Sequence, residues 1–128
     1  MEYLMLFAND PDGWDDPGPT GHDGVFDDWD AYTRALHDAG VLVSGAGLHP
    51  PDLATTVRVR EGRRVVVDGP FMETKEHLIG YVVIEVSDLD AALDWAARVP
   101  NARTGSVEIR PVRAELTVSA TLARTASR

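Results

Sequence analysis

The chain has no cysteine among its 128 residues. Disulfides, thiolate nucleophiles and cysteine-ligated metals are therefore outside its chemistry, and a reducing cytoplasm is the setting such a chain fits. Lysine is nearly as scarce: Lys75 stands alone against eleven arginines. Residues 1–30 contain nine acids and no Lys or Arg, and the net charge is −9. An acidic chain repels phosphate backbones, so nucleic acid is not an expected partner. No apolar run approaches the roughly 20 residues a membrane span needs. The start, Met1-Glu2-Tyr3-Leu4, lacks the basic stretch of a secretory signal, and no membrane association is expected. Zinc-protease, calcium-loop, phosphate-loop, nucleophile-elbow and dinucleotide patterns are also missing. Neither a metal nor a cofactor is expected.

What is present reads as one globular domain. Apolar residues make up 44% and charged residues 26% of the chain, ordinary proportions for a length that can bury a core without staples. Residues 2–8 are apolar on both alternating faces, as in a strand central to a sheet. Residues 9–21, rich in Asp, Gly and Pro, read as a loop. From about Asp23 to Ala39 the positions Val25, Trp29, Tyr32, Leu36 and Ala39 form one helical stripe, stopped by Gly40. Residues 41–47 predict a second strand whose glycines allow close backbone approach. Thr55–Arg60 and Arg63–Val67 around Glu61-Gly62 predict a hairpin.

The strongest strand pattern, again apolar on both faces, spans 78–86. Ser87-Asp88-Leu89-Asp90 predicts a helix start with Ser87 as cap. Leu89, Ala92, Leu93, Ala96 and Val99 predict that helix's buried stripe, ended by Pro100. Residues 105–112 predict a last strand, and the small polar residues from about Leu116 predict a mobile tail. Two strand–helix–strand units of this kind interleave into one antiparallel sheet with both helices on one face, an α+β, ferredoxin-like arrangement with an inserted β-hairpin. The other face then needs a cover. A second copy, sheet against sheet, is the economical one.

The densest polar stretch is Asp68-Gly69-Pro70-Phe71-Met72-Glu73-Thr74-Lys75-Glu76. Gly69 opens backbone angles closed to other residues, and Pro70 restricts both itself and Gly69, so the corner is stiff. Phe71 is expected to anchor the loop by burial. Lys75 with Glu73 and Glu76 forms a candidate acid–base and anchoring group, organised by Asp68. The same cluster also reads as a loop held by its own salt bridges. Trp14, in a loop without periodic partners, either caps a pocket or pins that loop. His49, before two prolines, is a candidate base or a strand terminator. His77, at the start of a central strand, is equally open. Arg110 shares a strand face with Glu108 and is placed either to orient a ligand carboxylate or to pair internally.

The nine-residue motif resembles the signature of the YCII-related proteins, in the branch named for its DGPF motif. The likeness continues through Tyr3-Leu4-Met5-Leu6, Gly45-Ala46-Gly47-Leu48-His49-Pro50, Ala54-Thr55-Thr56-Val57-Arg58, Gly80-Tyr81, Ala91-Ala92-Leu93-Asp94-Trp95-Ala96 and Gly105-Ser106-Val107-Glu108-Ile109-Arg110-Pro111-Val112. It implies a domain over 1–113 with a tail over 114–128, a ferredoxin-like fold forming a dimeric α/β barrel, and a bacterial source. It also implies a regulatory setting, since relatives are often encoded beside alternative sigma factors. A histidine early in the first helix is associated with catalysis in the wider superfamily. Trp29 stands nearest that position here, so that role does not transfer. The expected protein is a homodimer binding a small polar ligand beside the motif loop, with isomerase-like proton transfer or a non-catalytic accessory role.

Overall fold

The computed structural model describes residues 1–10, 25–72 and 74–127. The expected loop over 9–21 and the candidates Trp14 and Glu73 thus fall, wholly or in large part, outside the described residues. The elements run β1 (Glu2–Asn9), α1 (Val25–Asp38), β2 (Leu42–Gly47), β3 (Thr55–Arg60), β4 (Arg63–Asp68), β5 (His77–Glu85), α2 (Leu89–Ala97), β6 (Gly105–Pro111) and α3 (Val118–Ala126). Four strands form one sheet in the order β2-β5-β1-β6, with every neighbouring pair antiparallel. This is the ferredoxin-like order. The two doubly apolar segments, β1 and β5, are its central strands.

Alternation along β1 decides which side becomes core. Tyr3, Met5 and Phe7 are buried on one face, with Ile84 of β5 opposite Tyr3. Tyr32 and Leu36 of α1 and Ala92 and Ala96 of α2 join the same cluster. The two helices therefore cover a single face, and small alanines let α2 come close. On the other face Leu4, Leu6, Ala8, Tyr81 and Val83 are only half-buried. They lie side by side through the pairs Leu4–Val83 and Leu6–Tyr81.

The two helices are tied across the core by one polar contact. The Tyr32 hydroxyl donates to the Trp95 carbonyl at 2.8 Å. The Tyr32 ring stands edge-on to both Trp29 and Trp95. Burial raises the Tyr32 pKa well above its ordinary value of 10.0, and the nearby Arg98 charge opposes this more weakly.

Several local expectations are corrected. Asp88, not Ser87, caps α2: its carboxylate accepts from the Ala91 amide at 2.9 Å. Leu89 and Leu93 are exposed, leaving Ala92, Ala96 and Val99 as the buried stripe. Ala39 is likewise exposed. The expected mobile tail instead forms a short 3-10 turn at Ala114–Leu116 followed by α3. Thr117 caps that helix by accepting from the Ala120 amide at 3.1 Å, satisfying one of the amide hydrogens its first turn leaves free.

Among the described residues β3 and β4 pair only with each other, in a second, two-stranded sheet. Their turn holds Glu61 at φ 53° and Gly62 at φ 74°, the left-handed pair of a type I′ hairpin.

The Tyr32 environment gives a signed pH prediction. Ionisation is easier in the unfolded chain than in the native one, so this stabilisation is complete below about pH 10 and is lost as pH rises above it. In an alkaline titration followed by tyrosinate absorbance, the Tyr32 phenol should stay protonated until the protein unfolds. Tyr32→Phe should remove that late step and lower stability by about 1 kcal/mol, the net contribution of one hydrogen bond.

Candidate functional site

Three glycines shape the helix-facing side of the sheet near β2. A Cβ on Gly45 would lie 2.8 Å from the Tyr81 carbonyl oxygen, and one on Gly80 would lie 2.9 Å from the Ala46 oxygen. Close approach of β2 to β5 thus requires glycine at both positions. With Gly47, these residues also contribute no side chains, so a hollow of about 620 Å³ remains between α1 and the β2–β5 edge. Phe7, Trp29 and Thr33 line it from β1 and α1. The segment Leu48–Pro51 closes one side, and His77 lines it from the start of β5. Phe7 and Trp29 are in ring contact, with centroids 5.2 Å apart.

Among the described residues the lining includes no Asp, Glu, Lys or Arg. Its polar side chains are His49, His77, Thr33 and the Trp29 indole. An apolar cleft with a few polar groups suits a small, flat, weakly charged molecule. Two imidazoles can donate to such a guest or exchange protons with it.

The motif corner has the expected stiffness. Gly69 sits at φ 108°, a conformation that strains any residue with a side chain. Its amide donates to the Ala54 carbonyl, and its own carbonyl accepts from the Thr56 hydroxyl, both at 2.7 Å. The corner is therefore clamped to the base of the hairpin. Phe71 is not the buried anchor that was expected: it is 71% exposed, as the chain leaves the corner away from the core. Lys75 is exposed and forms no ion pair with a described residue. Glu76 accepts from the Ser106 hydroxyl, which fastens the end of the loop to β6. The loop is held by these hydrogen bonds, and no salt bridge is found within it among the described residues.

The remaining candidates are dispersed. Asp68 ends β4, exposed and opposite Thr55. Arg110 lies on β6, three strands from β2, and pairs with Glu108 at 3.4 Å on the face away from the helices. Only His49 of the candidate ligand-binding residues lines the hollow among the described residues. Sequence reasoning left His77 open and took Trp29 for core. The available signal was the glycine pattern of β2 together with the histidine directly after the motif.

A second polar cluster closes one end of the sheet. The buried Asn101 amide donates to the Ala8 carbonyl at 3.1 Å and to Asn9 Oδ1 at 3.2 Å. A Cβ on Gly105 would lie 2.0 Å from the Ala8 oxygen, so only glycine fits there.

The architecture and the hollow together define an α+β protein with a ferredoxin-like sheet and a histidine-lined cleft on its helix side. The family model of the YCII-related domain matches residues 1–115, and the chain belongs to that family. An uncharacterized protein of Rhizobium meliloti (strain 1021) is 40% identical over 114 residues, covering 88% of this chain and 92% of that protein. Among solved structures, 5-chloro-2-hydroxyhydroquinone dehydrochlorinase from Burkholderia phenoliruptrix AC1100, in complex with 2,5-dihydroxybenzoquinone, superposes with a TM-score of 0.51 at 12% identity. The match covers 88% of this chain and 94% of that one, and the likeness is one of fold.

The glycine floor yields a test. Gly80→Ala should force β2 and β5 apart, because the added carbon meets backbone rather than a movable side chain. Thermal unfolding should show a loss of about 1–3 kcal/mol, the usual cost of overpacking. Gly47→Ala, whose Cβ would find its nearest neighbour at 4.0 Å, should cost much less.

Proposed function

We infer that this protein is a bacterial, cytoplasmic homodimer that binds a small polar molecule with a flat ring beside the DGPF loop and moves protons on it. The histidine-lined hollow between α1 and the β2–β5 edge carries this reading. It is large enough for one ring, its walls are aromatic and apolar, and its hydrogen-bonding groups are few. A dihydroxybenzoquinone is the ligand named for one solved protein of similar fold, and a hydroxylated ring of that size suits these walls. His77 and His49 exchange protons with ring hydroxyls. Lys75, two residues before His77, supplies an ammonium to the ligand's anionic form, and Glu73 or Glu76 serves as the accompanying base. Proton transfer of this kind, as in isomerisation or elimination, proceeds on these side chains alone. Asp68, at the end of β4, organises the loop.

The homodimer reading rests on the sheet face that the helices leave uncovered. Two such faces, packed together, give the dimeric barrel. A second reading has its own observation. Phe71 and Met72 stand exposed at the centre of the motif, which favours a loop that contacts protein and a non-catalytic accessory role beside a sigma factor.

A thermal-shift series with 2,5-dihydroxybenzoquinone and simple hydroxybenzoates separates these readings. A bound ring at about 100 times its dissociation constant should add about 2.7 kcal/mol of apparent stability. Lys75→Ala and His77→Ala should melt with the unliganded wild type yet lose most of that shift. No shift for the wild type across the series would remove the ligand reading. A Lys75→Ala variant that fails to fold would give the motif a structural role instead.

A further inference from the structure

The β3–β4 hairpin stands apart from the rest of the protein. It pairs with no strand of the main sheet, and its residues are exposed on both faces, with Thr56 alone half-buried. Its five valines are between 42% and 63% exposed. A lone two-stranded ribbon is at best marginally stable in water, and neighbouring exposed valines on a free edge invite a partner. Cross-strand register mixes charge with this apolar surface: Arg58 faces Val65, Val59 faces Arg64, and Arg60 faces Arg63. Four arginines against Glu61 and Asp68 leave the hairpin at +2, so the rest of the chain, within a total of −9, carries −11. None of the four arginines forms an ion pair with a described residue.

The outer face of the main sheet has the complementary pattern. Leu4, Leu6, Tyr81 and Val83 form its apolar centre. Glu2 and Glu85 lie opposite one another at one end, and Glu108 lies beside Leu6. Glu85 already meets the amino terminus at 2.5 Å and Glu108 meets Arg110 at 3.4 Å. All three carboxylates are at least partly exposed.

We propose that the β3–β4 hairpin is an arm exchanged between two copies of this chain, its valines and arginines closing over the rim of the other copy's uncovered sheet face, with the arginines against Glu2, Glu85 and Glu108. The occupant is a second copy because this same chain carries both halves of the match, valine with arginine on the arm and leucine with glutamate on the sheet. A twofold axis then makes both contacts at once. The clamp of Gly69 onto Ala54 and Thr56 fixes the arm's root, so the motif corner sets the direction in which it projects. This inference rests on the homodimer reading above and adds to it the element that locks the pair.

Charge exchange tests it. An arm variant (Arg58→Glu, Arg60→Glu, Arg63→Glu) and a rim variant (Glu2→Lys, Glu85→Lys, Glu108→Lys) should each dimerise at least about tenfold more weakly than the wild type, because each sets like charges together. Mixed in equal amounts, they should form a heterodimer of near wild-type affinity, since both contacts are then complementary. Sedimentation equilibrium reads all three samples, with circular dichroism confirming that each is folded. A wild-type dimer with an unaffected arm variant would overturn the arm and leave the dimer standing. Two weakened variants that do not rescue each other would place the arm elsewhere, on an unrelated protein included, and overturn the proposal. A monomeric wild type would overturn both readings. In the cysteine-free background, Val59→Cys alone gives a second measure. Its alkylation should slow as protein concentration rises through the dimerisation range, and an unchanging rate would again exclude the arm contact.

Discussion

Two central strands that are apolar on both sides need two covers, and α1 and α2 supply one. That shortage governs the rest of the molecule. Tyr3, Met5 and Phe7 go beneath the helices, and the alternation of a strand then turns Leu4, Leu6 and Ala8 the other way. The core is therefore complete on one side, while the outer side keeps an apolar centre edged by carboxylates.

The candidate site follows from the same geometry by subtraction. Where β2 approaches β5, glycine is required by the backbone, and a glycine that permits close strands also leaves the space above it empty. Phe7 and Trp29 are long enough to frame that space but do not fill it. The histidines are held at its margin by unrelated devices, His49 by a proline-bounded segment and His77 by the start of β5. Packing needs and chemical opportunity thus meet at one place. The motif loop also has a local structural consequence. Its stiffness fixes the root of the hairpin and the beginning of β5, and its charged side chains lie outside the hollow's lining among the described residues.

Much of the fold could be read from residue order because it rests on local periodicity. The doubly apolar runs of β1 and β5, the α1 stripe, the Glu61-Gly62 turn and the Gly69-Pro70 corner are each set within a few residues. The errors share a physical cause. Leu89 and Leu93 fit a helical stripe but are exposed, because the angle at which α2 crosses the sheet is decided by its alanines. Phe71 was expected inside because it is aromatic, yet burial depends on what stands opposite it, and none of the described residues covers it. The tail was expected to be mobile on its polarity, while a Thr117 cap opens α3 there.

The order of residues by itself determined the elements, the central strands, the stiff corner and the family, since each depends on contacts between near neighbours or on backbone angles that particular residues permit. Only the folded chain decided that Trp29, Thr33, His49 and His77, spread over nearly fifty positions, surround one cavity, and that Lys75 and Arg110 do not line it. Those relations depend on strand order and on the distance between β2 and β5. They are properties of packing in three dimensions, which no local pattern encodes.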